Sequence, residues 1–394
     1  MKVIHLVENL DDSYGGPAKS IPYLCHYLRD LGVEVIIISV QTHPVEHNTV
    51  VDELGLQWEK LPHEGPRKLS YSSKLIKRIE SLIEADTIIH VHNSWTYVSY
   101  VGWYFKQKHQ IPLVSSPRGS LYPWSLSRRK YLKRIFWLLF QKASFQRSNV
   151  IHVTAQDEAE AVRGLGIKPE LTLIPNGVEL PDQVPDKQEW RQHSMNVLGL
   201  DDSKRYFLFL SRIHPKKGLD FLINSWAEMH DQFPEWELLV VGPEEDQDYL
   251  RQIQQVLAAA NATGKVRFTG LLEGAEKDAA YGAAEFFVLP SHTENFGIVI
   301  AEALALQLPV LTTHGTPWAE IETFGAGWHI ELSQERLTTT LREALQSSQE
   351  ELMAMGTQSK KFIHRYEWPL QARKMKDTYD YILGAAKPES VLNI

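Results

Sequence analysis

The chain has 394 residues, with 41 basic and 49 acidic side chains, a formal charge of −8, 43% hydrophobic and 23% charged residues. That length asks for two or three cores rather than one, and the composition is that of a globular protein, not a disordered chain. The longest strictly apolar stretch, Ile135 to Phe140, is far short of the roughly 20 residues a bilayer-spanning helix needs, Cys25 alone excludes an intrachain disulfide, and the acidic balance argues against nucleic acid as a partner.

The N-terminus reads as a buried strand followed by acids, without the apolar core of a secretory signal, which fits a cytoplasmic setting. Short apolar runs then alternate with helix-like stretches. Strands are predicted at Val3–Val7, Glu34–Val40, Thr87–Val91, Leu113–Ser115, Val150–Val153 and Thr172–Ile174, with helices such as Ser20–Leu31 and Tyr71–Ile83 between them. Strands apolar on both faces belong to parallel sheets covered on both sides. The stretch PDQVPDK, 181–187, is polar and doubly prolined and reads as a linker. The pattern restarts at Tyr206–Leu210, Glu237–Val241, Lys265–Thr269, Phe286–Leu289 and Leu308–Thr312. The expectation is an α/β chain of two doubly wound domains, 1–181 and 182–368. A final helical segment, 369–394, would pack outside the second sheet or return to the first domain. In such folds ligands gather at the carboxyl ends of the strands.

Strand Tyr206–Leu210 runs into Ser211-Arg212-Ile213-His214-Pro215-Lys216-Lys217-Gly218, with a helix from about Leu219. Two cations in a strand-to-helix turn, beside the positive end of a helix, suit a diphosphate; a solvated basic turn is the alternative. Further on, Pro290-Ser291-His292-Thr293-Glu294-Asn295-Phe296-Gly297-Ile298 leads into an apolar helix predicted to start near Phe296. Glu294 falls in the loop before it and Glu302 two turns inside. A buried carboxylate needs hydrogen-bond partners, and sugar hydroxyls would serve. The plainer alternatives are that Glu294 caps the helix and Glu302 pairs with a lysine.

Arg212 and Lys217 after the first strand of the second half, followed by Glu294 and Glu302 in E-x7-E spacing with flanking VLPS and EALA, resemble the large retaining glycosyltransferase group of family 4. That group includes sucrose synthase, bacterial glycogen synthase and the phosphatidylinositol mannosyltransferases. The resemblance covers essentially the whole chain and implies the GT-B architecture, two Rossmann-like domains facing across a cleft. It implies that Arg212 and Lys217 bind the donor diphosphate and stabilise its charge, that Glu302 accepts from the ribose, and that Glu294 contacts sugar hydroxyls. The backbone of Asn295, Phe296 and Gly297, with Ile298 beside them, would hold sugar and phosphate. Arg267 and Leu271 lie in the segment that flanks the nucleobase, and Gly242 lines the same pocket. Gly15 and Gly16 correspond to a glycine-rich loop facing the donor phosphates.

Many members carry a histidine near the reacting sugar where this chain has Arg118, which cannot act as a base at neutral pH. The segments around Arg118, Pro123-Trp124 and Pro317-Trp318 resemble a subset concerned with surface polysaccharides, in which Arg118 would touch a phosphate or the acceptor. His92, Asn93 and Trp95 follow a strand end and are the candidate acceptor contacts. His90 and His92 share a strand face, but no third ligand is evident, so no metal is expected.

From Arg118 to Arg147 there are eight basic residues and no acidic one, interleaved with aromatic and aliphatic side chains. A basic helix of this kind fits peripheral contact with an anionic bilayer through 124–145, at the inner face of the membrane; an apolar stripe packed on the sheet with solvated charges is the simpler account. The expected activity is retaining, metal-independent transfer from a nucleoside-diphosphate sugar, UDP before GDP, to a glycan or lipid-linked acceptor in cell-surface polysaccharide synthesis. No cofactor is expected, the donor being a substrate. The alternatives are a nucleotide-sugar epimerase or hydrolase of the same fold, and a non-catalytic nucleotide-sugar-binding protein.

Overall fold

The computed structural model describes residues 1–41, 46–65, 69–127, 130–181 and 186–392. Most of the proposed linker (182–185) and two of the basic residues, Arg128 and Arg129, lie outside them. The chain divides into two compact units, Met1–Gly177 with Trp368–Ile394, and Val178–Glu367. The division thus falls four residues before Pro181, and the final helix belongs with the first unit.

In the first unit the strands are β1 (Lys2–Val7), β2 (Glu34–Gln41), β3 (Trp58–Pro62), β4 (Thr87–His92), β5 (Leu113–Ser116), β6 (Val150–Val153) and β7 (Glu170–Leu173). The second unit holds β8 (Arg205–Leu210), β9 (Trp236–Val241), β10 (Val266–Gly270), β11 (Ala284–Leu289), β12 (Val310–Thr313) and β13 (Gly327–Ile330). A short β14 (Val391–Leu392) completes the first sheet. Its order is β14-β7-β6-β5-β4-β1-β2-β3, parallel except for antiparallel β14 against β7. The second is β10-β9-β8-β11-β12-β13, parallel throughout. In both, the first strand of the unit lies beside its fourth and the order reverses there, which creates a crevice at the carboxyl ends of β1 and β4 and another at those of β8 and β11.

Both faces of each sheet are covered, which is why the strands read as apolar runs rather than alternations. In the first unit Val3, Leu24, Leu28, Met375 and Tyr379 pack on one face, and Ile4, Leu6, Ile89, Val101 and Phe105 on the other. The final helix, Trp368–Ile382, therefore closes the first sheet, and a Cβ on Gly177 would lie 2.2 Å from the Trp368 ring it packs beneath. The second core is built on Phe207 and Phe286, stacked at 5.3 Å, with Trp226 edge-on to Phe207 at 5.2 Å. Burying each such side chain is worth about 1.5–3 kcal/mol, and the Trp226 indole N–H is satisfied by the Lys265 carbonyl. The edge strands β3, β13 and β14 carry no strong apolar run, and they escape the sequence reading. Helix Tyr71–Ile83 contracts to Leu75–Glu80.

Candidate active site

In the second unit the crevice lies where sequence reasoning places the donor. The turn after β8 carries Arg212 and then a single 3-10 turn, Pro215–Lys217, capped by the His214 imidazole, which accepts from the Lys216 amide. The loop after β11 carries Ser291 and Glu294. Lys217 Nζ lies 2.5 Å from Glu294 Oε1, Ser291 Oγ donates to the same oxygen at 2.7 Å, and the Glu294 amide is held by the Gly315 carbonyl at 2.7 Å. Both partners of the ion pair are buried. Burial opposes ionisation of Glu294, but Lys217, Lys216 and the Ser291 hydroxyl outweigh it and hold the carboxyl below its usual range. Arg212 is half exposed and its Nη1 bonds both Glu245 carboxylate oxygens at 3.1 Å, an ion pair of little worth in water.

The apolar helix begins at Ile298, two residues later than expected, because Gly297 adopts φ 78° and caps it. Phe296 is locked in place: its ring packs on Trp318 at 5.0 Å, and the Trp318 indole N–H donates to its carbonyl at 2.5 Å. Asn295 Oδ1 is buried and has no hydrogen-bond partner among the described residues, one residue from the ion pair. An orphaned acceptor of this kind costs about 1–3 kcal/mol unless a ligand or water meets it. Glu302 sits just over one turn into the helix, with Lys277 Nζ at 2.5 Å and the Tyr281 hydroxyl at 2.7 Å, both on Oε2. The lysine pairing expected as the plainer alternative is therefore present, and it engages one carboxylate oxygen.

Gly242 follows β9 with φ 143°, and a Cβ there would fall 2.0 Å from the Ser211 carbonyl oxygen. The backbone after β8 and β9 can approach so closely only because this residue has no side chain. Leu271 is exposed just past β10. The Arg267 guanidinium donates to the Leu198 and Gly199 carbonyls at 2.8 and 2.9 Å, closing the end of helix Lys187–Leu198. Its side chain is thereby structural.

In the first unit Gly15, φ 84°, caps helix Gly16–Asp30 after β1. Across the crevice of that sheet, after β4 and β5, Asn93, Trp95 and Arg118 all take positive φ, at 69°, 74° and 52°. For a tryptophan this is a genuine outlier, and such strain gathers at functional sites. The Trp95 amide is held by Gln141 Oε1 at 2.8 Å, and Asn93 donates to the Tyr14 hydroxyl at 3.2 Å. The buried Trp95 indole nitrogen has no partner among the described residues.

Arg118 is not free to serve as a mobile cation. Its Nη1 donates to Ser20 and to Asn176 at 3.1 and 2.8 Å, and Nη2 to His92 Nδ1 at 3.3 Å. Burial lowers its pKa to about 10, still cationic at neutral pH. Because a guanidinium can only donate, His92 carries its proton on Nε2 and gives it to His5 Nδ1 at 2.9 Å. A second chain runs from the Tyr379 hydroxyl to His90, on to Ser116 Oγ, then His152, ending on the Ile174 carbonyl. Here the carbonyl can only accept, which sets every proton upstream of it. Burial holds all four imidazoles neutral, with His5 and His152 lowered to about 3.

The expectation that His90 and His92 lack a third histidine is corrected: His5 on β1 lies with them, ring nitrogens within 4.8 Å. Sequence distance hid it, because β1 and β4 are neighbours only in the folded sheet. Of the six ring nitrogens, only His5 Nε2 has no partner among the described residues.

Two family profiles match. Glycosyl transferases group 1 covers residues 191–362, and glycosyltransferase family 4 covers 14–181. The chain belongs to the family 4 glycosyltransferases. A GDP-mannose:cellobiosyl-diphosphopolyprenol alpha-mannosyltransferase of Komagataeibacter xylinus is 23% identical over 99% of this chain and 95% of its own. Among solved structures, sucrose-phosphate synthase from Thermosynechococcus elongatus matches with TM-score 0.78 and 19% identity, over 98% of this chain and 100% of that one. Anabaena HepE in complex with UDP and glucose matches with TM-score 0.76 and 17% identity, over 96% and 99%. These likenesses place the chain in the GT-B fold.

Within this glycosyltransferase, sequence reasoning missed Ser291, Lys277, Tyr281, Trp318 and Gln141. All but Ser291 act through a partner remote in sequence, and only Ser291, three residues before Glu294, had a local signal.

Proposed function

We propose that this glycosyltransferase moves a sugar from a nucleoside-diphosphate sugar to a hydroxyl of a glycan or lipid-linked acceptor, with retention of anomeric configuration. The Lys217–Glu294 pair carries the reading: a buried cation and a buried carboxylate share the crevice after β8 and β11. Diphosphate oxygens take Lys217 and draw Arg212 from its weak pairing with Glu245, while Glu294 and Asn295 accept from sugar hydroxyls. Glu302 Oε1 accepts from the ribose, its other oxygen being held by Lys277 and Tyr281.

As the bond from the anomeric carbon to the diphosphate oxygen breaks, its electrons pass to the phosphate. Lys217 and Arg212 stabilise that charge, the electrostatic preorganisation that commonly supplies the largest catalytic contribution. The acceptor oxygen bonds to the same carbon on the same face, and its proton passes to the departing phosphate oxygen. Side-chain cations perform the charge stabilisation, so we assign no metal to the reaction. Of the four neutral histidines of the first unit, His5 and His92 bond each other and His90 and His152 share Ser116, all beside a guanidinium, which repels a cation. Arg118 orients His92 and the loop after β5.

We assign the acceptor side to the first unit, through His92, Asn93 and Trp95. The acceptor is a diphosphopolyprenol-linked glycan, the class named for the Komagataeibacter relative. The basic segment around Lys130, Arg134 and Lys142 meets the anionic inner face of the membrane, as surface-polysaccharide synthesis on a lipid carrier would require. UDP is the first donor expectation and GDP the second.

The test is thermal unfolding with UDP, GDP, ADP, CMP and dTDP in turn. A nucleotide at a hundred times its Kd adds about 2.7 kcal/mol, several degrees for a unit of this size. One nucleotide should shift the wild type and leave Arg212→Ala where it was. An equal shift in both proteins would remove Arg212 from the diphosphate site, and product analysis showing only free sugar with every acceptor would favour a hydrolase.

A further inference from the structure

An aromatic groove opens on the first unit, lined by Tyr71, Trp95, Tyr97, Tyr100, Phe136 and Phe140 and enclosing about 270 Å³. That volume is at the small end of ligand pockets, and its walls are almost wholly apolar. The rings are locked against one another: Tyr71 lies 4.7 Å from Tyr97, Tyr97 stacks on Tyr100 at 5.8 Å, and Tyr100 meets Phe140 edge-on at 5.7 Å. Phe136 and Phe140 come from the basic helical stretch, Lys130–Phe136 continued by a π-helical turn, Trp137–Gln141. That turn also supplies Gln141, which holds the strained Trp95. A π turn inside a helix is rare and frequent at functional sites.

The same stretch turns Tyr131, Leu132, Ile135, Leu138 and Leu139 outward, Tyr131 and Leu138 being 76% and 75% exposed. Lys130, Arg134 and Lys142 are exposed beside them, and no acidic residue falls between 118 and 147. An isologous contact between two copies would bring these basic faces together. An anionic lipid surface instead meets both the charge and the apolar side chains.

We infer that the groove holds the membrane-proximal part of a polyprenyl chain, so that the acceptor lipid is gripped by the enzyme while its glycan lies near Trp95. The inference rests on the reading of a lipid-linked acceptor. It adds a hydrocarbon site that adjoins the sugar contacts and shares Trp95 with them.

A benzophenone-bearing polyprenyl phosphate in vesicles of phosphatidylglycerol and phosphatidylethanolamine serves as the probe, with labelled peptides located by mass spectrometry. Labelling should fall on 69–71, 95–100 and 136–140, and undecaprenyl phosphate should displace it at lower concentration than dioleoyl phosphatidic acid does. Phe140→Glu places a charge in the groove and should cut labelling at least about tenfold, or 1.4 kcal/mol. Tyr71→Arg, at the exposed rim, gives the same readout should Phe140→Glu misfold. Leu138→Ser with Leu139→Ser should weaken vesicle binding yet leave labelling in detergent unchanged. Labelling elsewhere, labelling indifferent to both groove variants, equal displacement by the two lipids, or a dimer that buries the groove against the probe would each overturn the inference. Neither donor nor transfer enters this experiment. A failed groove with intact nucleotide-induced stabilisation leaves the transferase reading standing.

Discussion

Lys217 Nζ and Glu294 Oε1 meet at 2.5 Å, joining the turn after β8 to the loop after β11 at the point where the strand order of the second sheet reverses. The pair is buried, and both of its members are assigned to the donor. Removing one partner leaves an uncompensated buried charge. Lys217→Met and Glu294→Gln should each destabilise the second unit by up to about 3–5 kcal/mol, and the double variant by much less than their sum. Urea unfolding of the three proteins checks this; strict additivity would mean that the pair is not coupled. Because the folded carboxyl is held below its ordinary value of 4.5, its contribution is present above pH 4.5 and lost as pH falls through the lower folded value.

Glu302 separates binding from stability. With Lys277 and Tyr281 both on Oε2, the other oxygen is the one assigned to the ribose. Glu302→Ala should raise the nucleotide Kd about ten- to a hundredfold, the worth of a hydrogen bond to a charged group. Calorimetric titration measures it, and an unchanged Kd would remove the ribose role.

Gly242 and Gly15 both need a backbone that L-residues avoid, but only Gly242 is also crowded. A Cβ on Gly242 would lie 2.0 Å from the Ser211 carbonyl, whereas nothing lies within 4 Å of one on Gly15. Gly15→Ala should cost the conformational strain alone, about 1–3 kcal/mol. Gly242→Ala should cost more, with weaker nucleotide binding as the turns after β8 and β9 separate. Equal costs would show that the second unit relaxes around the clash.

The histidines of the first unit make it sensitive to acid. His5 and His152 titrate near 3 when folded and near 6.5 when unfolded, and His90 and His92 are lowered as well. Between those values the unfolded chain binds more protons, so stability is full above about pH 6.5 and falls as pH drops toward 3. Unfolding near pH 5 should take up close to four protons from these groups. A pH-independent unfolding midpoint between 7.5 and 5 would contradict the buried neutral network.

Much of this protein was legible without its tertiary structure. Eleven predicted strands reappear because strands covered on both faces must be apolar along their length, as at β1 and β11. Arg212, Lys217, Glu294 and Glu302 were readable because their spacing places them on the loops and helix that follow specific strands. The edge strands β3 and β13 were not, since half-exposed strands carry a weaker pattern. The bonds of the Arg267 guanidinium were not legible either, since they close the end of a helix remote from it in sequence.

The sequence by itself determined the fold class, the two-unit plan and where Arg212, Lys217, Glu294 and Glu302 fall relative to the strands, because burial and turn chemistry are local properties of a chain. Tertiary structure alone decided which partners those charges have. Strand order brought Lys217 onto the Glu294 carboxylate and His5 beside His92. The return of Trp368–Ile382 to the first sheet set Tyr379 on His90, 289 residues away in sequence. Hydrogen bonds and ion pairs depend on ångström-scale proximity, and proximity between remote residues exists only once the sheets are assembled.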